Sequence, residues 1–300
     1  MKYWACGKLL ITAEYSVLRG ALALSLPTKF GQHLEVEATN GKNLSWKSID
    51  ENGKVWFEIE ISNNWTFSSL KNPEAASHFI CVLKEAICLN PKFNPFGYAA
   101  TTKLDFNPEW GLGSSSTLIS LVAQWAKVDA MALFFKTSTG SGYDVATATL
   151  NAPTLYSLKR NKAKFEAISF CPPFSESLYF VYLGKKKRSK QEVLNFNTKP
   201  VSDEFIGKIT AITNGIISCT KLEEFEDLIS QHEGLTSELL GYQTIKSQLF
   251  ADYPNSVKSL GAWGGDFVMI ASPTGDTTYF TEKGYATILP WKAMIGGESC

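Results

Sequence analysis

The chain has 300 residues, 44% of them apolar and 13% aromatic, enough to bury a sizeable core and to exclude intrinsic disorder. Its 29 basic and 29 acidic residues cancel, so no global field draws it to nucleic acid or an anionic membrane, and any anion it handles is met by a local site. Nowhere does it reach the roughly 18 uncharged apolar residues of a membrane helix.

Lys8 and Glu14 interrupt the N-terminal apolar run before a signal-peptide core can form. The cysteines never fall in a C-x-x-C pair, and His33, His78 and His232 are scattered. Reduced thiols, a cytoplasmic location and no structural zinc are expected.

In chain order, 9–37 reads as β: a strand, a turn at Arg19-Gly20, then two further β segments ending in the alternating His33-Leu34-Glu35-Val36-Glu37. The turn dipeptides Asn40-Gly41 and Asn52-Gly53 flank 44–47, and 54–61 has strand composition, predicting a meander. Asn72-Pro73-Glu74 starts a helix with Ala76, Phe79, Ile80, Leu83 and Ile87 at helical spacing. A strand over 98–105, helices over 115–126 and 128–135, and two strands within 154–170 follow. Cys171-Pro172-Pro173 marks the predicted boundary between an N-terminal domain, 1–171, and a C-terminal domain, 172–300. Beyond it come a buried strand over 178–183, mostly amphipathic helix over 202–250, and a strand over 267–271. The pattern is mixed α and β without repeats, and the predicted class is α+β.

Four segments bear chemistry. Gly111-Leu112-Gly113-Ser114-Ser115-Ser116-Thr117 opens a helix, where glycines admit a close ligand and outward N–H groups with the positive dipole end favour phosphate. It lacks the Gly-Lys-Ser/Thr ending of a Walker A loop, and a Gly/Ser-rich helix start taken alone is more often ordinary capping. Gly261-Ala262-Trp263-Gly264-Gly265-Asp266 lies between a helix and a strand and reads by itself as a tight turn. In Gly140-Ser141-Gly142-Tyr143-Asp144 a carboxylate follows flexible backbone, which is also what a helix cap looks like. Lys8, in Cys6-Gly7-Lys8, sits inside an apolar strand pattern; such a lysine snorkels to solvent unless an anion or carboxylate meets it.

Together and in this order the four segments resemble the GHMP kinases, the family that includes galactokinase, homoserine kinase, mevalonate kinase and phosphomevalonate kinase. The motifs are Cys6-Gly7-Lys8-Leu9 with Ala13-Glu14-Tyr15, Pro108 with Gly111-Leu112-Gly113-Ser114-Ser115, Ser141-Gly142-Tyr143-Asp144, and the 261–266 segment. The resemblance implies an N-terminal domain with a left-handed βαβ crossover, a C-terminal ferredoxin-like domain, and ATP and Mg²⁺ as cosubstrate and cofactor. It implies that 111–116 holds the ATP phosphates, with Ser115 at Mg²⁺, and that Gly261, Ala262, Gly264 and Gly265 brace that loop. Phosphoryl transfer needs positioned charge and an oriented nucleophile more than covalent help. Lys8 suits the first requirement. Asp144, paired with it, would accept or position the acceptor's proton.

The Cys-Gly-Lys opening, Glu14-Tyr15 and Gly264-Gly265-Asp266 look like phosphomevalonate kinase. The Ser-Gly-x-Asp register fits mevalonate kinase better, Ala13 stands where a glycine is usual, and Trp263 replaces a small residue. The Mg²⁺-binding glutamate usual in mevalonate and homoserine kinases has no counterpart at Ala132-Leu133-Phe134. The basic run 185–190, with Lys186, Lys187 and Arg188, is ordinarily a solvated face but would suit an anionic acceptor. The expected acceptor is a small anionic alcohol or phosphate, phosphomevalonate ahead of mevalonate, with Glu14 and Ser141 among its contacts. No nucleic-acid or membrane partner is expected, and the chain is read as a monomer or homodimer. A sugar or homoserine acceptor, or a non-catalytic binding protein of the same fold, is the alternative.

Overall fold

A computed structural model describes residues 1–68, 72–184, 196, 200–261 and 266–297. They fall into two compact units: Met1–Gly7, Phe30–Pro108 and Gly113–Thr149 form the first, and Lys8–Lys29, Glu109–Leu112 and Leu150–Cys300 the second. Two strands, β1 (Lys2–Leu10) and β2 (Ala23–Ala38), contribute residues to both.

The first unit is a sheet covered by helices. Its strands β3 (Leu44–Ile49), β4 (Val55–Ile61), β5 (Phe67–Ser68) and β6 (Tyr98–Leu104) join the later part of β2 in the order β5-β4-β3-β6-β2. All these pairs are antiparallel except β3 with β6, which is parallel, so the chain crosses over between them through helix α1 (Pro73–Leu89). Alternation decides the covered face: Leu44, Trp46, Phe57, Ile59 and Ile61 are buried while their neighbours along β3 and β4 are less covered. Trp46 meets Phe79 of α1 with ring centroids 4.4 Å apart. The Asn72 side chain caps α1 by accepting from the Ala75 N–H at 3.1 Å, and Pro73 occupies the first helical position, where its missing N–H costs nothing. Three shorter helices complete the unit: α2 (Ser114–Ala126), α3 (Ala130–Thr137) and α4 (Tyr143–Leu150).

In the second unit the first residues of β2 pair with β7 (Thr154–Lys159), which pairs with β8 (Lys162–Ala167). A separate antiparallel sheet has the order β10-β11-β9-β12, from β9 (Leu178–Tyr182), β10 (Val257–Ser259), β11 (Phe267–Ala271) and β12 (Ile288–Pro290). Every residue of β11 is buried, as expected of a strand covered on both faces. Long helices α5 (Asp203–Ser218) and α6 (Leu222–Leu240) precede the shorter α7 (Ile245–Leu249), α8 (Thr278–Glu282) and α9 (Trp291–Met294). Val181, Phe250, Val268, Ile270 and Phe280 form one core cluster.

The α+β class is as expected, and several boundaries move. β1 begins at Lys2, and β2 is one 16-residue strand where two segments were expected, because Pro27 and Gly31 interrupt the pattern without ending the strand. The expected meander is the antiparallel pair β3–β4, but β3 pairs in parallel with β6 as well. Cys171 is disulfide-bonded, which corrects the expectation of reduced thiols throughout; Cys6, Cys81, Cys88 and Cys219 are free. No helix among the described residues is long and apolar enough to cross a membrane.

Candidate functional site

In the first unit, α2 starts on Gly113, whose φ of 93° is a left-handed conformation that glycine adopts without penalty. The Gly113 carbonyl accepts from the N–H groups of both Ser116 and Thr117 at 3.0 Å. The amides of Ser114 and Ser115 precede these first bonds and stand at the positive end of the helix. Thr117 donates to Gln32 of β2 at 2.7 Å, which fixes the helix start to the sheet. Ser115 is exposed and Ser114 half-buried.

The same unit brings Asp144 to this helix. Asp144 lies in the first turn of α4; one carboxylate oxygen accepts from the Ser116 hydroxyl and the other from the Val145 N–H at 3.0 Å. Ser141, just before it, is buried. Gly142, with φ of 81°, lies so close to α3 that a Cβ would come within 2.9 Å of Met131 and 3.0 Å of Phe134. That close approach requires glycine and sets where α4 begins.

In the second unit, Lys8 is 9% exposed; its backbone N–H donates to the Leu112 carbonyl at 3.0 Å and its Nζ to the Gly111 carbonyl at 3.1 Å. From the other side comes Asp266. A Cβ on Gly111 would stand 2.1 Å from Asp266 Oδ2, and one on Gly261 would stand 2.6 Å from the same atom, so both positions admit only glycine. Trp110 packs on Phe267 with centroids 5.6 Å apart, and Tyr182 donates to the Glu109 carbonyl at 3.3 Å. Burial, with Glu109 and Asp266 nearby, raises the Tyr182 pKa. Asp266 was read in the sequence only as the end of a motif.

Glu14, expected at the acceptor, is 2% exposed and belongs to a buried ionic cluster of this second unit, which shields it from a diffusing ligand. The fully buried Lys258 of β10 directs its Nζ to Glu14 Oε1, to Glu233 Oε1 at 2.9 Å and to the Ser259 carbonyl at 2.6 Å, which uses all three of its donors. Ser259 Oγ donates to Glu233 Oε2 at 2.8 Å. His232 Nε2 accepts from the Ala13 N–H at 2.9 Å and lies 3.4 Å from Glu14 Oε2, an oxygen with no hydrogen-bond partner among the described residues. Burial pushes the Glu14 carboxyl up to about 7, opposed by Lys258. Burial alone would lower the Lys258 ammonium, but Glu14 and Glu233 outweigh it and hold its pKa up. Burial, then Lys258, pushes His232 well down, so it is neutral.

Ala13 and Tyr15, either side of Glu14, have φ of 67° and 58°. The first value explains why a glycine is usual at Ala13 in the family that the motif resembles. Sequence reasoning missed Lys258, Glu233 and His232; Lys258 stands between Val257 and Ser259 in a three-residue strand, with no apolar run to mark it. Ala262, Gly264, Gly265, Lys186, Lys187 and Arg188 lie outside the described residues.

No family model and no curated protein sequence matches the chain. Solved structures do match in fold. Streptococcus pneumoniae phosphomevalonate kinase, in complex with phosphomevalonate and AMPPNP, superposes with a TM-score of 0.71 at 16% identity over 96% of this chain and 99% of its own. L. major mevalonate kinase, in complex with R-mevalonate, gives 0.66 at 16% identity over 96% and 94%. Lactococcus lactis galactokinase complexed with galactose gives 0.71 at 13% identity over 99% and 93%. The chain therefore has the GHMP-kinase fold over nearly its whole length.

Proposed function

We propose that the protein is an ATP-dependent kinase of a small anionic acceptor, with phosphomevalonate favoured over mevalonate. The observation that supports it most is the meeting of Asp144 with Ser116 at the glycine-started end of α2, which places a carboxylate beside a helix terminus suited to phosphate. Complexes of the same fold with AMPPNP and phosphomevalonate support the nucleotide and the acceptor class.

In this reading the amides of Ser114 and Ser115 bind ATP phosphate oxygens, and Gly111, Leu112 and Gly113 keep side chains out of the way. The segment 261–266 braces Gly111, with Ala262, Gly264 and Gly265 assigned there from the motif alone. Asp144 orients the acceptor hydroxyl and takes its proton, Lys8 offsets the charge that develops on the transferred group, and Ser141 contacts the acceptor. Lys186, Lys187 and Arg188 are assigned to the acceptor's negative groups from their charge.

The donors near α2 are hydroxyl and carboxylate oxygens, which fits Mg²⁺, an ion that takes one or two protein oxygens and completes its shell with water and substrate phosphates. Ser115 would hold it, and its chemistry is to neutralise phosphate charge.

The test is a coupled ADP-release assay over an acceptor panel. Phosphomevalonate should give the highest kcat/KM, mevalonate the next, and galactose and homoserine far lower values. Galactose turnover above both would remove the anionic-acceptor assignment.

A further inference from the structure

We propose that Ser116 is a positioning residue for Asp144: its hydroxyl fixes the direction of the carboxylate toward the acceptor and takes no part in holding nucleotide. This deepens the kinase reading and rests on it. Both donors of Ser116 are engaged within the protein. Its N–H donates to the Gly113 carbonyl at 3.0 Å, and its hydroxyl donates to Asp144 Oδ2. At 6% exposure it has no further donor to offer a phosphate. Ser114 and Ser115 differ, because their amides precede the first helical bonds. The segment 111–116 thus divides after Ser115, the earlier residues serving phosphate and Ser116 serving the base.

Gly142 sets where α4 begins, but a placed backbone does not fix a carboxylate, which still turns about χ1 and χ2. The Val145 N–H restrains one oxygen, Oδ1, at 3.0 Å, and it belongs to the very next residue. The Ser116 hydroxyl comes from a different helix and holds the other oxygen, so the two bonds together set the carboxylate plane. Helix α2 is a firm platform for this second donor, since Thr117, 1% exposed, is tied to Gln32 of β2. An ionised carboxylate has about four acceptor positions, and these bonds occupy one on each oxygen. Asp144 is only half-buried, so an acceptor hydroxyl can reach a remaining one. All these residues belong to the first compact unit.

The test is Ser116→Ala, which keeps a good helix former on α2. Its kcat should fall about ten- to a hundredfold, the order of loss expected of a misaligned catalytic group, while the dissociation constant for Mg-AMPPNP stays within about twofold. In an Asp144→Ala background the same substitution should lower kcat no further, since no carboxylate is left to orient. Near-parental kcat, nucleotide affinity lost in step with kcat, or the full further loss in the Asp144→Ala background would overturn the proposal. Urea unfolding of the parent, the two single variants and the double variant reads the contact without turnover. The two substitutions should be less than additive, as for residues sharing a hydrogen bond, and additive losses would overturn the proposal as well. Less-than-additive losses in a parent that phosphorylates no acceptor would sustain the hold of Ser116 on Asp144 and remove the kinase reading.

Discussion

Replacing Asp144 by asparagine is expected to lower turnover by about 10² to 10⁴, the usual worth of a positioned general base, while the fold and nucleotide binding persist. The amide oxygen of asparagine can still accept from Ser116 or from the Val145 N–H, so the helix start keeps its geometry. What is lost is the negative charge that attracts the acceptor's proton. Initial rates from ADP release, with nucleotide affinity measured separately, separate the two effects. Near-parental turnover would make Asp144 a helix cap and nothing more.

Lys258→Met should have the largest effect on stability. Methionine fills much of the lysine's volume but leaves Glu14 and Glu233 facing each other with no cation, and breaking such a buried set costs about 3–5 kcal/mol. The loss should depend on pH in a definite direction. Because the Glu14 carboxyl is raised from 4.5 to about 7, the folded state holds a proton there that the unfolded state releases. The stability this contributes is complete below about 4.5 and is lost as pH rises through about 7. In Lys258→Met the Glu14 carboxyl should be pushed higher still, so urea unfolding should show a variant close to the parent at pH 5 and far weaker at pH 8. A deficit that does not change with pH would mean that lost packing, not unpaired charge, is responsible.

Much of the fold was legible where a local signal and the final structure agree. Asn72-Pro73 marked the start of α1 because capping chemistry is local, and the apolar run at 267–271 marked β11 because that strand is covered on both faces. α4 was read only as a carboxylate after flexible backbone, a possible cap, since Thr147, Thr149 and Ala148 give little helical periodicity; the helix exists because Gly142 lets it start against α3. In the candidate site, Lys8, Asp144 and the glycines stood out by type and order. The Ser116–Asp144 bond and the grip of Asp266 on Gly111 did not, because each joins residues far apart in sequence through side chains that no periodicity records. The ionic cluster around Lys258 was hidden for the same reason: its four members come from three separate stretches of chain.

The central claim is phosphoryl transfer to an acceptor, and ³¹P NMR of purified protein with Mg-ATP and phosphomevalonate reads it directly. The account predicts loss of the ATP γ signal, growth of ADP, and a new pair of coupled diphosphate resonances on the acceptor, all strongly slowed in Asp144→Asn. ATP that stays intact with every acceptor of the panel, or ATP hydrolysed to inorganic phosphate with no phosphorylated acceptor, would contradict it.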